Sequence, residues 1–218
     1  MNSTPSRNET APTSDTWNFT EDFVSPSENL RSAREEAIVA GHSPISNGVA
    51  SLLTVLAATT GANAVAEVGT LMGASALAFF EGMGKDGILT SIDGDAEHQL
   101  AARRFLTAAG YASSRFRLIA GTPLNVLPKL RDGAYDIVFI NGDKLEYVEY
   151  VAGALRLLRH GGLLIVHDVL WNNTVADGEA EGDETIIIRE ALEAVIESES
   201  YTPALLPVGN GLLVAVKH

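Results

Sequence analysis

The chain has 218 residues, 46% of them hydrophobic and 6% aromatic, with a formal charge of −13 and no cysteine. That length suits one α/β domain with a substantial core and excludes two large ones. The acidic balance argues against non-specific binding to nucleic acid or anionic membrane, and the missing cysteines exclude disulfides, a thiol nucleophile and a thiolate metal site.

No run approaches the roughly 20 apolar residues of a membrane span, and residues 1–16 (MNSTPSRNETAPTSDT) lack the basic start and apolar block of a signal peptide. They are polar and poor in apolar side chains, which predicts a disordered tail ahead of one domain over 17–218, and a cytoplasmic location. An apolar turn is expected around Trp17 to Val24. Two helical patterns follow, about Ser27 to Ala40 with Leu30, Ala33 and Ala37 on one face, and about Ser46 to Thr59 with Val49, Leu52, Leu53 and Leu56 as a stripe. These make residues 17–62 a helical entry to the core, 63–218.

From Ala64 strands and helices alternate. Strands are predicted near 64–69, 87–92, 116–120, 135–140, 162–167, 203–208 and 211–217, and helices near 73–83, 95–109, 123–130, 144–159 and 183–198. Apolar strands such as IVFI and LLIV between helices imply a mainly parallel sheet covered on both faces. Pro207, Gly209, Asn210 and Gly211 form a short turn, so the last two strands are expected to be an antiparallel hairpin. The result is a Rossmann-like α/β sheet closed by a hairpin.

In open sheets of this kind ligands sit outside the carboxyl ends of the strands. The first strand ends at Glu67, Gly69 and Thr70 and meets a helix past Gly73, so backbone N–H groups and a helix N-terminus face one place. The second ends at Asp93, where an acid binds a ribose hydroxyl pair. The third ends at Gly121, Thr122 and Pro123, the fourth at Asn141, Asp143 and Lys144, and the fifth at His167 and Asp168. Glycines that only make the turn would be the plain alternative. Five successive strand ends supplying hydrogen-bonding groups favour a nucleoside-type ligand.

Lys144 opens a helix, where the dipole disfavours positive charge, which makes it a candidate general base; a solvated helix-start lysine is the alternative. Asp143 beside it can cap the helix or contact a ligand. Asn141, His167 and Asp168 can ligate a divalent ion or form a hydrogen-bonded polar cluster without one. His42, His98 and His160 have no evident partners and read as structural or exposed.

Six segments in this order resemble the S-adenosylmethionine-dependent O-methyltransferases of the catechol and caffeoyl-CoA type: AEVGTLMGAS (66–75), ILTSIDGDAEHQLAARRF (88–105), LIAGTPLNVLPKL (118–130), YDIVFINGDKLEYVEY (135–150), GGLLIVHDVLWNN (161–173) and the closing LLPVGNGLLVAVK. The resemblance covers about Ser27 to the end. It implies a class I methyltransferase fold, S-adenosyl-L-methionine as cofactor, a small hydroxylated acceptor and a homodimer. By the same resemblance Ile45 lines the cofactor site, and Glu67, Gly69, Thr70 and Ser75 hold the methionine portion and the turn. Asp93 takes the ribose hydroxyls, Pro123 meets the adenine, and Asp143 and Tyr150 contact the cofactor. Lys144 matches a lysine that serves as base, and Asn172 a substrate-contacting position; Asn141 is also assigned to the acceptor side.

Two departures stand out. The family's turn reads acid-x-Gly-x-Gly-x-Gly, and Leu71 replaces the middle glycine, where a side chain would crowd the cofactor. The family's divalent-metal site uses two aspartates and an asparagine; here Asn141 and His167 stand in the aspartate positions and Asp168 in the asparagine position. One carboxylate weakens a site for Mg²⁺, so no metal is expected and proton removal falls to Lys144 or His167. A non-catalytic cofactor-binding protein with a decayed site is the competing reading. An NAD-dependent dehydrogenase shares the glycine turn and ribose acid but not the terminal hairpin or the motif order.

Overall fold

The computed structural model describes residues 12–218. Residues 1–11 of the expected tail lie outside them. The remainder corrects that expectation, because a helix, α1 (Ser14–Glu21), begins inside the tail and replaces the expected apolar turn. Thr13 caps it by accepting from the Thr16 N–H, and Asp15 suits its first turn. Its last residue is also its anchor: the Glu21 carboxylate accepts the Gly48 N–H at 2.7 Å and the Ser46 hydroxyl at 2.9 Å.

Ser46 thereby helps start α3 (Asn47–Thr59), and Ser27 caps α2 (Glu28–Val39) in the same way. The core follows as β1 (Ala64–Val68), α4 (Ala74–Gly82), β2 (Ile88–Asp93), α5 (Ala96–Ala108), β3 (Phe116–Ala120), α6 (Pro123–Val126), β4 (Tyr135–Ile140), α7 (Tyr147–Leu157), β5 (Leu158–His167), α8 (Asp183–Glu197), β6 (Tyr201–Leu206) and β7 (Leu212–Lys217). The expected helix 144–159 is a 3₁₀ turn at Lys144–Glu146 followed by α7, and β5 starts four residues before its expected position. The chain enters the strand directly from the helix at Leu158, its ladder with β4 is irregular between the Tyr135–Leu158 and Ile137–Leu163 pairs that flank the glycines, and the Asp136 carboxylate of β4 holds Arg159 there at 2.6 Å.

The sheet is seven-stranded in the order β3-β2-β1-β4-β5-β7-β6. The first five strands are parallel; β7 pairs antiparallel with both β5 and β6, which is the expected hairpin. Alternation with period two sends Val65, Ile137, Phe139 and Ile165 into a core under α2, α3 and α4, and Ala66, Val138, Ile140 and Leu164 into a second core under α7 and α8. Helix α4 is buried all round, from Ala74 to Phe80, which its small residues permit where it lies between the sheet and the N-terminal helices. Among the described residues no helix is long and apolar enough to cross a membrane.

This topology places the site. Crossovers run outward from β1 on one side and from β4 on the other, so the loops at the carboxyl ends of β1 and β4 diverge and leave a crevice. The two loops touch at its base. Gly69 has φ +88°, and a Cβ there would lie 2.2 Å from the Asn141 carbonyl oxygen, so the approach needs glycine. The hairpin turn joins from the other flank: Gly211 has φ +100° and a Cβ on it would lie 2.5 Å from the Leu170 nitrogen. That packing brings Asn210 to the end of β5.

Candidate functional site

Two cavities open in this crevice. The first, about 400 Å³, is lined by Gly69, Asp93, Pro123, Asp143 and Tyr150 from the expected cofactor set, together with His98 and Glu146. The second, about 670 Å³, holds Asn141, Lys144, His167 and Asn172 from the catalytic and acceptor set, with His42, Ser46, Asp168, Trp171 and Asn210. Leu71 and Asn141 line both. They stand at the boundary.

Four expected cofactor residues do not face the first cavity. Ile45 and Ser75 border a nearly filled cleft of about 10 Å³ beneath the turn. Thr70 points inward: its hydroxyl meets that of Ser91 and accepts from the Gln99 amide at 3.0 Å. Glu67 is fully buried, with the Ser75 and Ser91 hydroxyls donating to its two oxygens. Burial pushes its pKa up to about 7 against the pull of those bonds. It ties β1, β2 and α4 into one rigid base.

Asp93 does reach the cavity, but not as a free carboxylate. Its Oδ2 accepts the N–H groups of Thr70 at 2.9 Å and Leu71 at 3.1 Å, and its Oδ1 accepts the Asp95 N–H at 2.9 Å. The glycine turn therefore closes onto the acid. Leu71 has φ +45°, the left-handed backbone that a glycine would adopt at no cost. Asp143 takes its plain role, capping the turn at Lys144 by accepting the Leu145 N–H at 3.0 Å, while it also borders the cavity. The Tyr150 hydroxyl donates to Glu146; burial and that carboxylate raise its pKa, so it stays a neutral phenol.

In the second cavity the residues at the ends of β4 and β5 are joined. The His167 Nδ1–H donates to Asn141 Oδ1 at 2.8 Å, which leaves Nε2 as the bare nitrogen, buried against the Gly209 backbone and without a hydrogen-bond partner among the described residues. Burial pushes the pKa of His167 down to about 4; the Asp168 charge opposes the shift and the Lys144 charge adds to it, and the ring is neutral. Lys144 is not solvated: its Nζ lies 3.3 Å from Asp168 Oδ2, and 5.0 Å and 5.5 Å from the ring centres of Tyr147 and Trp171. Burial lowers its pKa while Asp168 opposes the shift.

The metal question turns on which donors are spare. Asn141 Oδ1 is engaged by His167, and Asp168 by Lys144 and by the Asn210 side-chain amide, so of the three family positions only His167 Nε2 is unengaged. Among the described residues no group of three or more His, Cys, Asp or Glu is disposed to hold a metal ion. The donor set does not fit a hard divalent cation.

Three lining residues carried no usable sequence signal. His42 and His98, read as structural or exposed, are hydrogen-bonded to each other, with Nε2 atoms 3.2 Å apart, and His98 Nδ1 lies 3.1 Å from Asp93. Asn210, read as turn chemistry alone, also accepts the Asn172 N–H at 2.8 Å. Asn172, Trp171 and Asp168 all have positive φ, so the loop after β5 is coiled back over the cavity.

A doubly wound sheet with an antiparallel β6–β7 hairpin and paired cavities at the β1/β4 switch point defines a Rossmann-like class I methyltransferase. The model of the O-methyltransferase family matches residues 25–218, and the chain belongs to that family. It is 42% identical over 213 residues to a Mycobacterium tuberculosis protein named as a probable O-methyltransferase, covering 98% of this chain and 93% of that one. Among solved structures, a Corynebacterium glutamicum protein superposes with TM-score 0.86 at 32% identity, covering 92% of this chain and 94% of the other. The O-methyltransferase TomG of Streptomyces achromogenes, solved in complex with SAM and involved in tomaymycin synthesis, shares the fold with TM-score 0.84 at 24% identity over 93% and 97% of the two chains.

Proposed function

We propose that the chain transfers a methyl group from S-adenosyl-L-methionine, held in the Asp93 cavity, to a hydroxyl of a small acceptor in the Lys144 cavity. The observation that carries the cofactor assignment is charge. The first cavity is bordered by three carboxylates, Asp93, Asp143 and Glu146, and, among the described residues, by no lysine or arginine. That field favours a cationic ligand and disfavours the pyrophosphate of a dinucleotide, which separates a sulfonium donor from NAD. Its volume lies within the range of small-molecule sites. Asp93 would take the ribose hydroxyls through the lone pairs that the turn leaves free, Pro123 would flank the base, and Gly69, Leu71 and Tyr150 would form the walls. When bound, the cofactor supplies an electrophilic methyl on a positively charged sulfur.

The protein's own groups handle the acceptor. Leu71 and Asn141 border both cavities, so acceptor oxygen and donor meet between them, and positioning supplies most of the acceleration. His167 Nε2, bare and buried, accepts the hydroxyl proton. The Lys144 ammonium stabilises the developing oxyanion, which lowers the pKa of the hydroxyl and eases transfer of its proton to the weakly basic His167 imidazole. Asn141 holds the ring, and Asn172 borders the acceptor. No step requires a divalent ion.

The composition supports a cytoplasmic location, and exposed apolar side chains on the N-terminal helices (Phe19, Val39 and Val55) and on the bend after the first of them (Phe23) support a homodimer that light scattering would test. The functional test is calorimetry with S-adenosylmethionine and with NAD, then methyl transfer across a panel of catechols with and without a chelator. Binding of NAD in preference to S-adenosylmethionine would overturn the cofactor assignment. Chelator-sensitive turnover restored by Mg²⁺ would overturn metal independence.

A further inference from the structure

The turn between β6 and β7 does more than reverse the chain. Asn210, at its end, makes three hydrogen bonds to the loop that follows β5. Its backbone carbonyl accepts the Leu170 N–H at 2.8 Å, its side-chain oxygen accepts the Asn172 N–H at 2.8 Å, and its side-chain amide donates to Asp168 Oδ1. One side chain thereby bridges residues 168 and 172. Between and beside them the chain is tightly coiled: Asp168, Trp171, Asn172 and Asn173 have φ of +64°, +41°, +55° and +69°. The base from which Asn210 reaches is firm, because a Cβ on Gly209 would lie 2.2 Å from Val49 Cγ2 of α3, and the turn is wedged against that helix.

The position makes three demands at once: an acceptor, a donor on the same short arm, and a left-handed backbone, here φ +64°. Asparagine meets all three, since its amide carries both kinds of group and it tolerates that backbone. Aspartate would set a second carboxylate against Asp168, and glycine would suit the backbone but lack the amide. The consequences reach the acceptor cavity. With Oδ1 taken by Asn210, Asp168 presents Oδ2 to the Lys144 ammonium at 3.3 Å. With Asn172 tied back, the Trp171 ring centre stands 5.5 Å from the same ammonium, and both residues line the cavity. Neither Asn210 nor any residue of 168–173 borders the Asp93 cavity.

We propose that Asn210 is a positioning residue for methyl transfer: its side-chain amide fixes Asp168 and the coil through Trp171, and so holds the Lys144 ammonium where the acceptor oxygen develops charge. The inference rests on the assignment of the Lys144 cavity to the acceptor. The two arms of the amide have separate tasks. Its oxygen keeps the loop coiled, and its nitrogen sets the Asp168 rotamer. Preorganised charge of this kind acts only when correctly placed, and a misplacement of about 1 Å can cost about 10²-fold in rate.

The chain has two tryptophans, so Trp17→Phe leaves Trp171 as the single indole reporter of the loop, and its emission needs no knowledge of the acceptor. Asn210→Gly removes both arms while relieving the backbone, so the protein should stay folded. It is expected to shift Trp171 emission to the red, raise its quenching by acrylamide and lower kcat about tenfold or more. Asn210→Asp keeps the acceptor for Asn172 and turns the donor into a carboxylate facing Asp168. It is expected to keep the parent emission yet lose kcat to a similar extent. Both variants should bind S-adenosylhomocysteine with parent affinity by calorimetry. A merely structural residue would lower the melting temperature in both and leave the folded emission and kcat unmoved. Unshifted emission in Asn210→Gly, or kcat within about twofold of the parent in that variant, overturns the proposal. So does loss of S-adenosylhomocysteine binding in step with turnover, which would mean that the turn holds the whole fold rather than the acceptor cavity. Absence of methyl transfer by the unaltered protein across the acceptor panel, with emission shifted in Asn210→Gly, overturns the proposed function instead and leaves the hold of Asn210 on the loop standing.

Discussion

Leu71→Gly isolates the side chain that separates the two cavities. The left-handed backbone at Leu71, φ +45°, costs an L-residue about 1–2 kcal/mol, which glycine avoids. Against this, glycine gives the unfolded chain extra freedom worth about 0.5–1 kcal/mol. The difference, near zero to about 1.5 kcal/mol in favour of the variant, is offset by the contacts of a half-buried leucine, so the melting temperature should stay close to that of the parent. The Leu71 N–H bond to Asp93 is a backbone bond and survives the change. What is lost is the bulk facing the cofactor and acceptor cavities. If that bulk crowds the cofactor, S-adenosylhomocysteine should bind about tenfold more tightly, a gain of about 1.4 kcal/mol. Leu71→Ala keeps the strained backbone and removes most of the bulk, so it should give a smaller gain and a lower melting temperature than glycine. Calorimetry and thermal unfolding on the three proteins decide the matter. Equal or weaker binding by a normally folded Leu71→Gly would refute the reasoning and show that the turn accommodates leucine.

Asp93→Ala removes the acceptor for two turn N–H groups as well as for ligand hydroxyls, so S-adenosylhomocysteine affinity should fall by about 2–3 kcal/mol; full-affinity binding by calorimetry would exclude Asp93 from the site. His167→Asn keeps a donor for Asn141 and removes the bare Nε2, so kcat should drop about 10²–10⁴-fold with cofactor binding unchanged, measured once the catechol panel yields an acceptor. Glu67 tests the pH dependence of folding. Its folded pKa of about 7 exceeds the usual carboxyl value of 4.5, so the folded state holds the proton more tightly and stability falls as pH rises from about 4.5 to 7. The loss amounts to about 3 kcal/mol, and Glu67→Gln should remove it, so urea midpoints of the two proteins at pH 5 and pH 8 are the measurement.

Much of this was legible because periodicity and strand ends obey local rules. Val65 and Ala66, or Phe139 and Ile140, alternate between faces by necessity, and the residue after a parallel strand lies at the binding edge whatever its role. Hence Asp93, Asn141, Lys144 and His167 were placed at the crevice from spacing alone. Direction of a side chain is another matter. Glu67 and Thr70 occupy the expected positions yet turn inward, because Ser75, Ser91 and Gln99, remote in sequence, offer them partners there. His42 and His98 are 56 residues apart, and nothing local foretells their hydrogen bond. Asn210 is readable as a turn residue, but its contact with Asp168 depends on Gly211 packing against Leu170, a tertiary event.

The departures at the metal positions are internally consistent, which bears on whether they mark decay. Two carboxylates and an amide without a cation would leave like charges buried side by side, an arrangement that raises one pKa and destabilises the fold. In this chain the count is balanced instead. Neutral Asn141 and neutral His167 satisfy each other, and the single remaining carboxylate, Asp168, faces the single ammonium of Lys144 at 3.3 Å. Lys144 therefore sits in the same polar cluster as the three metal-position residues and supplies a positive charge there that needs no ion. Random loss of function has no reason to change two ligand positions to a matched donor–acceptor pair while leaving one charge pair intact. It also has no reason to leave unpaired the buried Nε2 of His167, a residue that lines the acceptor cavity. These features favour an active, metal-independent methyltransferase over a binding protein that has lost its chemistry.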